Sequence, residues 1–390
     1  MAQDRLKALL VQIAKEHNYL NYDVEIRPVS SDGSNYTTVL FLATISAPFR
    51  SNIELFAKVS DTTEEMRSQM SSMSKIYDIE FYFYDKLYWI FEGLEVKHNL
   101  PQEQRLVVPK VYKNSNKYLE EALVLENLLA RGYKVYDRLK PMTYEYAATA
   151  VSTLAKLHSL SFAYKQENAK EFQEIIKKLP IQTGSDETAA EMYKNEMIPD
   201  IINSVREENR GKIKRFFDET DVSKEWIDLI KNTDNGVIVH NDYRVSNLMH
   251  TRRNGKLQII PIDFQTVTYG NPVSDLMYLI FTGSDSQFRK YHYTNLIEHY
   301  YTELTVALRR LDVDINDVYP REDYKHDLKK LRMFGLIVGV TILPYVTVNA
   351  DDAPKISADM EAADFAIKPN DLYISRINGI IDDYIQLGLL

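Results

Sequence analysis

His240-Asn241-Asp242-Tyr243-Arg244-Val245-Ser246-Asn247 is the stretch on which the fold turns, read together with Asp263-Phe264-Gln265 a short way on. The β-branched run Val237-Ile238-Val239 stops at His240, so Asp242 is predicted on a strand-to-loop turn. A second, mostly apolar run from Leu257 to Ile262 ends directly in Asp263, which puts another carboxylate at a strand end, where a ligand can reach it. Asn247 and Asp263 offer the amide and carboxylate oxygens that a hard cation such as magnesium prefers. A carboxylate at Asp242 can accept the proton of a hydroxyl. Each of these residues alone is more often a turn former or a satisfied polar core group. Their joint order carries the reading.

That order, His then Asp, four residues, Asn, and a later Asp-Phe, is the order of a phosphoryl-transfer centre. In such a centre Asp242 orients the attacking hydroxyl, Asn247 and Asp263 hold Mg2+, and ATP is the donor. A lysine on a strand, a glutamate on the following helix and a small-residue loop over the phosphates complete it. Leu55-Phe56-Ala57-Lys58-Val59 is a strand-like run broken only by Lys58, whose head either reaches solvent at a sheet edge or is held by an acid. The segment from Thr63 to about Ile90 reads as a helix, with Glu80 as the natural partner of Lys58 and an exposed helix position as its alternative. Two alternating segments, Asp23 to Val29 and Tyr36 to Ile45, flank a hairpin turn containing Asp32-Gly33-Ser34. Gly33 and Ser34 are the candidates to lie over the phosphates, and a plain surface hairpin is the competing reading. Glu121 to Leu128 reads as a buried strand leading to a hinge, where backbone groups at Glu126 and Leu128 would read adenine beside apolar walls.

These motifs, with Leu154-Ala155-Lys156-Leu157-His158-Ser159 and Asp275-Leu276, resemble the ecdysteroid kinase-like family from about Val24 to at least Asp275. The resemblance implies an α+β, bilobal protein-kinase-like fold shared with choline kinases and aminoglycoside phosphotransferases, with a small antiparallel-sheet N-lobe and a larger helical C-lobe. It also implies an ATP-dependent kinase acting on the hydroxyl of a small molecule, an ecdysteroid or another hydroxylated lipophilic compound. A choline or aminoglycoside type of acceptor and a catalytically inactive ligand-binding or partner-binding protein are the alternatives. The family usually reads His-Gly-Asp-Leu-Trp where this chain has His240-Asn241-Asp242-Tyr243-Arg244. Asn tolerates unusual backbone angles better than most residues. Arg244 is read as a catalytic cation meeting the transferred phosphate, against a changed acceptor pocket or a surface arginine. Asp275 follows Asp263 by only twelve residues with no Ala-Pro-Glu between, which leaves no platform for a peptide acceptor. Asp275 is read as a brace for the catalytic loop.

With 390 residues and 45% hydrophobic content, the chain can bury one large or two moderate cores. A division at 1–128 and 129–390 is expected. The net charge of −9 and the lack of a basic run argue against nucleic acid. No cysteine is present, so neither disulfides nor Cys-ligated metals contribute, in keeping with a cytoplasmic location. The charged start lacks the apolar core of a signal peptide, and its Leu6, Leu9, Leu10, Ile13 spacing predicts an amphipathic helix. Met333 to Val348 is uncharged but only sixteen residues long, and reads as a buried helix rather than a membrane span. Ala147, Val151, Leu154 and Leu157 predict a helix ending near a core His158, and the charged stretch from Glu167 to Lys231 reads as mostly helical.

Overall fold

The computed structural model describes residues 2–29, 38–64, 67, 72–179, 191, 193–231, 233–349, 351–352 and 367–390. Among these residues, strands β1 (Asp23–Val29), β2 (Val39–Ser46), β3 (Ile53–Val59), β4 (Val111–Ser115) and β5 (Ala122–Glu126) form an antiparallel sheet in the order β1-β2-β3-β5-β4. Side chains alternate across each strand. Leu55, Ala57 and Val59 therefore join Phe41, Ala43 and Ile45 in a core covered by helix α1 (Ala2–Glu16), which contributes Leu6, Leu10 and Ile13 as its spacing predicts. Phe56 and Lys58 are left on the opposite face. Since β3 is an inner strand, the edge-strand alternative for Lys58 is excluded.

Helix α2 (Ser72–Tyr82) passes through a π-helical turn at Phe83–Leu87 into α3 (Tyr88–Lys97), so the predicted helix runs further than Ile90. The hairpin turn with Gly33 and Ser34 lies outside the described residues. Beyond β5, Asn127 Oδ1 accepts the N–H groups of Leu129 and Ala130, and Gly132 takes φ +82°, which glycine adopts without a side-chain clash. The hinge reading of this segment fits that turn.

The rest of the chain is mainly helical. Strand β6 (Lys134–Val135) leads to helix α4 (Tyr144–Glu167), where Thr143 Oγ1 accepts the Tyr146 N–H as an N-cap. Helices α5 (Ala169–Ile176), α6 (Ile198–Ser204), α7 (Glu207–Glu219) and α8 (Val222–Lys231) follow, as the charged stretch predicts. Strands β7 (Val237–Val239), β8 (Leu248–Arg253), β9 (Lys256–Pro261) and β10 (Thr268–Gly270) carry the motif segments: β7 pairs with β10, and β8 lies between β6 and β9. Helix α9 (Pro272–Gly283) is buried along its whole length, and α10 (Ser286–Arg310) packs along α4. After α11 (Ile315–Val318) and α12 (Arg321–Lys330), the long uncharged run forms two short helices, α13 (Phe334–Thr341) and α14 (Leu343–Thr347), divided before Pro344. A Cβ at Gly335 would sit 2.4 Å from the Phe281 ring, so this glycine lets α13 approach α9. Helix α15 (Asp371–Gln386) closes the bundle. Among the described residues no helix is long and apolar enough to cross a membrane.

Candidate active site

Two clusters of charge meet where the sheet faces the helical lobe. In the first, Lys58 Nζ lies 2.8 and 3.0 Å from the two carboxylate oxygens of Glu80 and 2.5 Å from Asp263 Oδ1. Strand β3, helix α2 and the turn after β9 thus converge on one ammonium. Asp263 sits in left-handed backbone geometry, φ 68° and ψ 59°, and Phe264 after it stacks on Phe83 of the π-helical turn with centroids 3.7 Å apart. That stack ties the Asp263 turn to the helix carrying Glu80. Burial would lower the pKa of Lys58, but Asp263 and Glu80 outweigh it and keep the ammonium charged. Burial would raise Asp263, yet Lys58 and then Arg244 hold it below the usual carboxylate range. For Glu80 burial wins over Lys58 and pushes the carboxyl up.

The second cluster surrounds Asp242, just beyond β7. Its Oδ2 accepts Asn247 Nδ2 at 2.7 Å, its Oδ1 accepts the Tyr278 hydroxyl at 2.6 Å, and Arg244 Nε lies 3.0 Å from Oδ1. Asn241 adopts φ 63°, so this position needs left-handed geometry, for which Gly or Asn is suited. Asp275 accepts the backbone N–H of His240 at 2.7 Å and of Asn241 at 2.8 Å, and is the brace that its position in the sequence suggested. His158 Nε2 meets the same carboxylate at 3.2 Å and its Nδ1 meets the Tyr300 hydroxyl, which makes it a satisfied core histidine. Arg244 is only 9% exposed, so the surface-arginine alternative is overturned. Burial would lower its pKa, and Asp242, Tyr278 and Asp263 more than offset that.

The clusters are joined by the Ile262 N–H, which donates to Asn247 O at 2.9 Å. Lys58, Asn247 and Asp263 line one end of a cavity of about 560 Å3, and Leu40, Phe56, Leu125, Leu128, Met249 and Ile262 make much of the rest apolar. Glu126 also lines it, but its carboxylate is occupied by Arg131 and the Lys110 N–H. The Asn127 N–H is occupied by Glu54 O. A ligand at this hinge therefore meets backbone and apolar surface, not a free carboxylate. A larger cavity of about 680 Å3 between α7, α8 and α13 contains none of the motif residues.

The donor set at the polar end fits magnesium. Asn247 gives its N–H to Asp242, which leaves the amide oxygen as the end suited to a cation, and Asp263 adds a carboxylate. Among the described residues no group of three His, Cys, Asp or Glu side chains makes a complete metal cage. Magnesium is commonly held by one or two carboxylates with water and phosphates, so a partial protein site suits it.

Tyr278 is the site residue that motif reading passed over. It stands one helical turn after Asp275, and the i, i+3 relation to a bracing acid was the available signal.

A sequence profile of the ecdysteroid kinase-like family matches residues 32–313. No curated protein sequence gives a significant match. Among solved structures the chain is similar to an aminoglycoside-3'-phosphotransferase of type VIII, at 15% identity, with 85% of this chain and 98% of that one covered and a TM-score of 0.39. A microcompartment-associated aminopropanol kinase is similar at 12% identity, with 98% and 99% covered and a TM-score of 0.43. An aminoglycoside phosphotransferase from Streptomyces rimosus is similar at 12% identity, with 85% and 98% covered and a TM-score of 0.32.

Proposed function

From a chain that belongs to the ecdysteroid kinase-like family, we propose an enzyme that transfers the γ-phosphoryl group of ATP to a hydroxyl of a small molecule. The observation that carries this is the convergence of Lys58, Glu80 and Asp263, from segments far apart in sequence, beside a loop that fixes Asp242 and Asn247. Adenine would lie in the apolar end of the cavity against the hinge at Glu126 and Leu128, with its phosphates toward Lys58. Glu80 holds Lys58 so that its charge is presented at a fixed point. Magnesium, held by Asn247 and Asp263, would supply charge neutralisation on the phosphates. Asp242 orients the acceptor hydroxyl and takes its proton as transfer proceeds. Residues 1–128 are the lobe covering the nucleotide, and 129–390 carry the metal ligands and the acceptor side.

The surroundings of Asp242 favour a neutral alcohol over a cationic one. Arg244 places a positive charge beside the carboxylate. The family to which the chain belongs is named for ecdysteroids, which are neutral and lipophilic. An ecdysteroid satisfies that description. The test is transfer of labelled γ-phosphate from ATP to a panel of ecdysteroids, choline, ethanolamine and aminoglycosides, with Asp242→Ala run beside the wild type. Label on an ecdysteroid that vanishes in the variant supports the reading. Label on choline or an aminoglycoside refutes the acceptor class, and magnesium-dependent ATP binding without any transfer or hydrolysis points to a binding protein instead.

A further inference from the structure

Helix α9 grips the catalytic loop twice. Asp275 holds its backbone, and one turn later the Tyr278 hydroxyl reaches the Asp242 carboxylate itself at 2.6 Å. Four other buried tyrosines in this lobe spend their hydroxyls on backbone carbonyls, Tyr146 on Leu248, Tyr243 on Ala150, Tyr324 on Ile297 and Tyr384 on Arg332, while Tyr300 meets His158 and Tyr319 meets Asp327 away from the motif residues. Those contacts pin segments, whereas Tyr278 touches the acid assigned to the acceptor hydroxyl. An ionised carboxylate has about four lone-pair sites. With Asn247, Arg244 and Tyr278 as donors, about one site is left for a substrate hydroxyl, and its direction is set by the other three.

We propose that Tyr278 is a positioning residue for phosphoryl transfer, its hydroxyl fixing the rotation of the Asp242 carboxylate so that the remaining lone pair meets the acceptor hydroxyl. This rests on the kinase reading above. In the step, the acceptor oxygen forms a bond to the γ-phosphorus as the bond from that phosphorus to the bridging oxygen breaks. The bridging oxygen leaves with its electron pair on ADP, and the acceptor proton passes to Asp242 and then to solvent. Tyr278 keeps its own proton throughout. Burial, with Asp242 adding to it, holds the phenol well above the usual tyrosine range, in keeping with a permanent donor.

Tyr278→Phe removes the hydroxyl and keeps the ring against Trp226. The measurement is kcat, the KM for ATP and the Kd for magnesium–ATP, with γ-labelled ATP and the acceptor found in the panel, or water where only hydrolysis is seen. The expected result is a kcat lowered about 10- to 100-fold, the range for a hydrogen bond to a charged group, with KM and Kd within about twofold. In an Asp242→Asn background the same substitution is expected to change the residual rate by less than about threefold, because the partner is already altered. Tyr319→Phe is the control. Tyr319 donates to Asp327 at 2.8 Å, a buried hydroxyl–carboxylate pair that includes none of the motif residues, so its loss is expected to lower Tm and leave kcat unchanged.

An active wild type with unchanged kcat in Tyr278→Phe overturns this inference and leaves the kinase reading standing. An equal loss in the Asp242→Asn background overturns it in favour of a purely structural tyrosine. A wild type that binds magnesium–ATP but neither transfers nor hydrolyses overturns the kinase reading and this inference with it. If Tyr278→Phe fails to bind nucleotide, 4-fluorophenylalanine at position 278 nearly keeps the shape of the tyrosine ring while removing the hydrogen-bond donor, and an unchanged kcat there overturns the proposal.

Discussion

Asp242 and Asp263 are almost equally accessible, with 15% and 16% of their side chains exposed, yet they are held in opposite ways. Asp242 is held from within one lobe, by two residues of its own loop and one of the helix beneath. Asp263 is held across the cleft, through the Lys58 ammonium of the sheet at 2.5 Å. The first arrangement is pre-set and needs no rearrangement to act. In the second, Lys58 and Asp263 neutralise each other, so the proposed nucleotide and its metal would compete with a contact inside the protein. In the proposed kinase, fixed geometry would serve the acceptor side and exchangeable charge the nucleotide side.

Removing each acid is the strongest way to break that contrast. Asp242→Ala is expected to lower transfer by at least about 1000-fold, in the upper part of the usual contribution of one acid–base group because it also releases Arg244, with magnesium–ATP affinity within about twofold. Rate and nucleotide titration on the same preparation check this. Asp263→Asn is expected to fail the other way, weakening magnesium-dependent ATP binding by at least about 10- to 100-fold. EDTA should reproduce that loss in the wild type and add nothing in the variant. If the two variants lost the same function, the division of labour would be wrong.

A smaller effect tests whether the cross-cleft charges also hold the fold. Lys58→Met leaves Glu80 buried without its cation. Burial already raises the Glu80 carboxyl above its ordinary value of 4.5, and without Lys58 it rises further. An acid with a raised folded pKa binds its proton more tightly in the native state, so stability falls as pH rises from the unfolded value towards the folded one. Asp263 loses the same cation, which holds its pKa below the ordinary 3.8, so the variant is expected to approach the wild type only below about pH 3.8 and to fall behind it as pH rises, by up to about 1.4 kcal/mol per pH unit for each acid. Urea denaturation from pH 4.5 to 8 checks the slope. A parallel pair of curves would mean that water or Phe264 replaces the lysine.

The contrast also explains what could be read from sequence. Lys58, Glu80, Asn247 and Asp263 each stand in a motif with its own local signature: an interrupted strand, a helix after it, a loop, a strand end. Their convergence is legible because phosphoryl transfer needs those groups together. Tyr278 has no such signature, being one of 27 tyrosines in the chain, and only folding α9 under the loop brings it to Asp242. Arg244 was legible as a departure from the family pattern but not as a buried partner of Asp242, since burial of a loop residue depends on what packs over it. The break between α13 and α14 was hidden for a similar reason. Composition marks the run as buried, while Pro344, in the first turn of α14, decides where it is cut.

The smallest predicted effect concerns the backbone under Asp242. Asn241 holds φ 63° while its N–H donates to Asp275, so a side chain that resists left-handed geometry strains the point from which Asp242 projects. Asn241→Gly, which restores the usual family residue, is expected to stay within about 0.5 kcal/mol of the wild type, because relief of the φ penalty is offset by the greater entropy of the unfolded chain. Asn241→Ala lacks both the freedom of glycine and the local hydrogen bonding of asparagine, and is expected to cost about 1 kcal/mol, lowering Tm by a few degrees. If the Asp242 side is pre-set by Tyr278, Asn247 and Arg244, transfer by Asn241→Ala should fall by no more than about threefold, since those three donors still fix the carboxylate. A large drop in kcat at unchanged magnesium–ATP affinity would instead show that the backbone angle, rather than the donors, sets the direction of the acid.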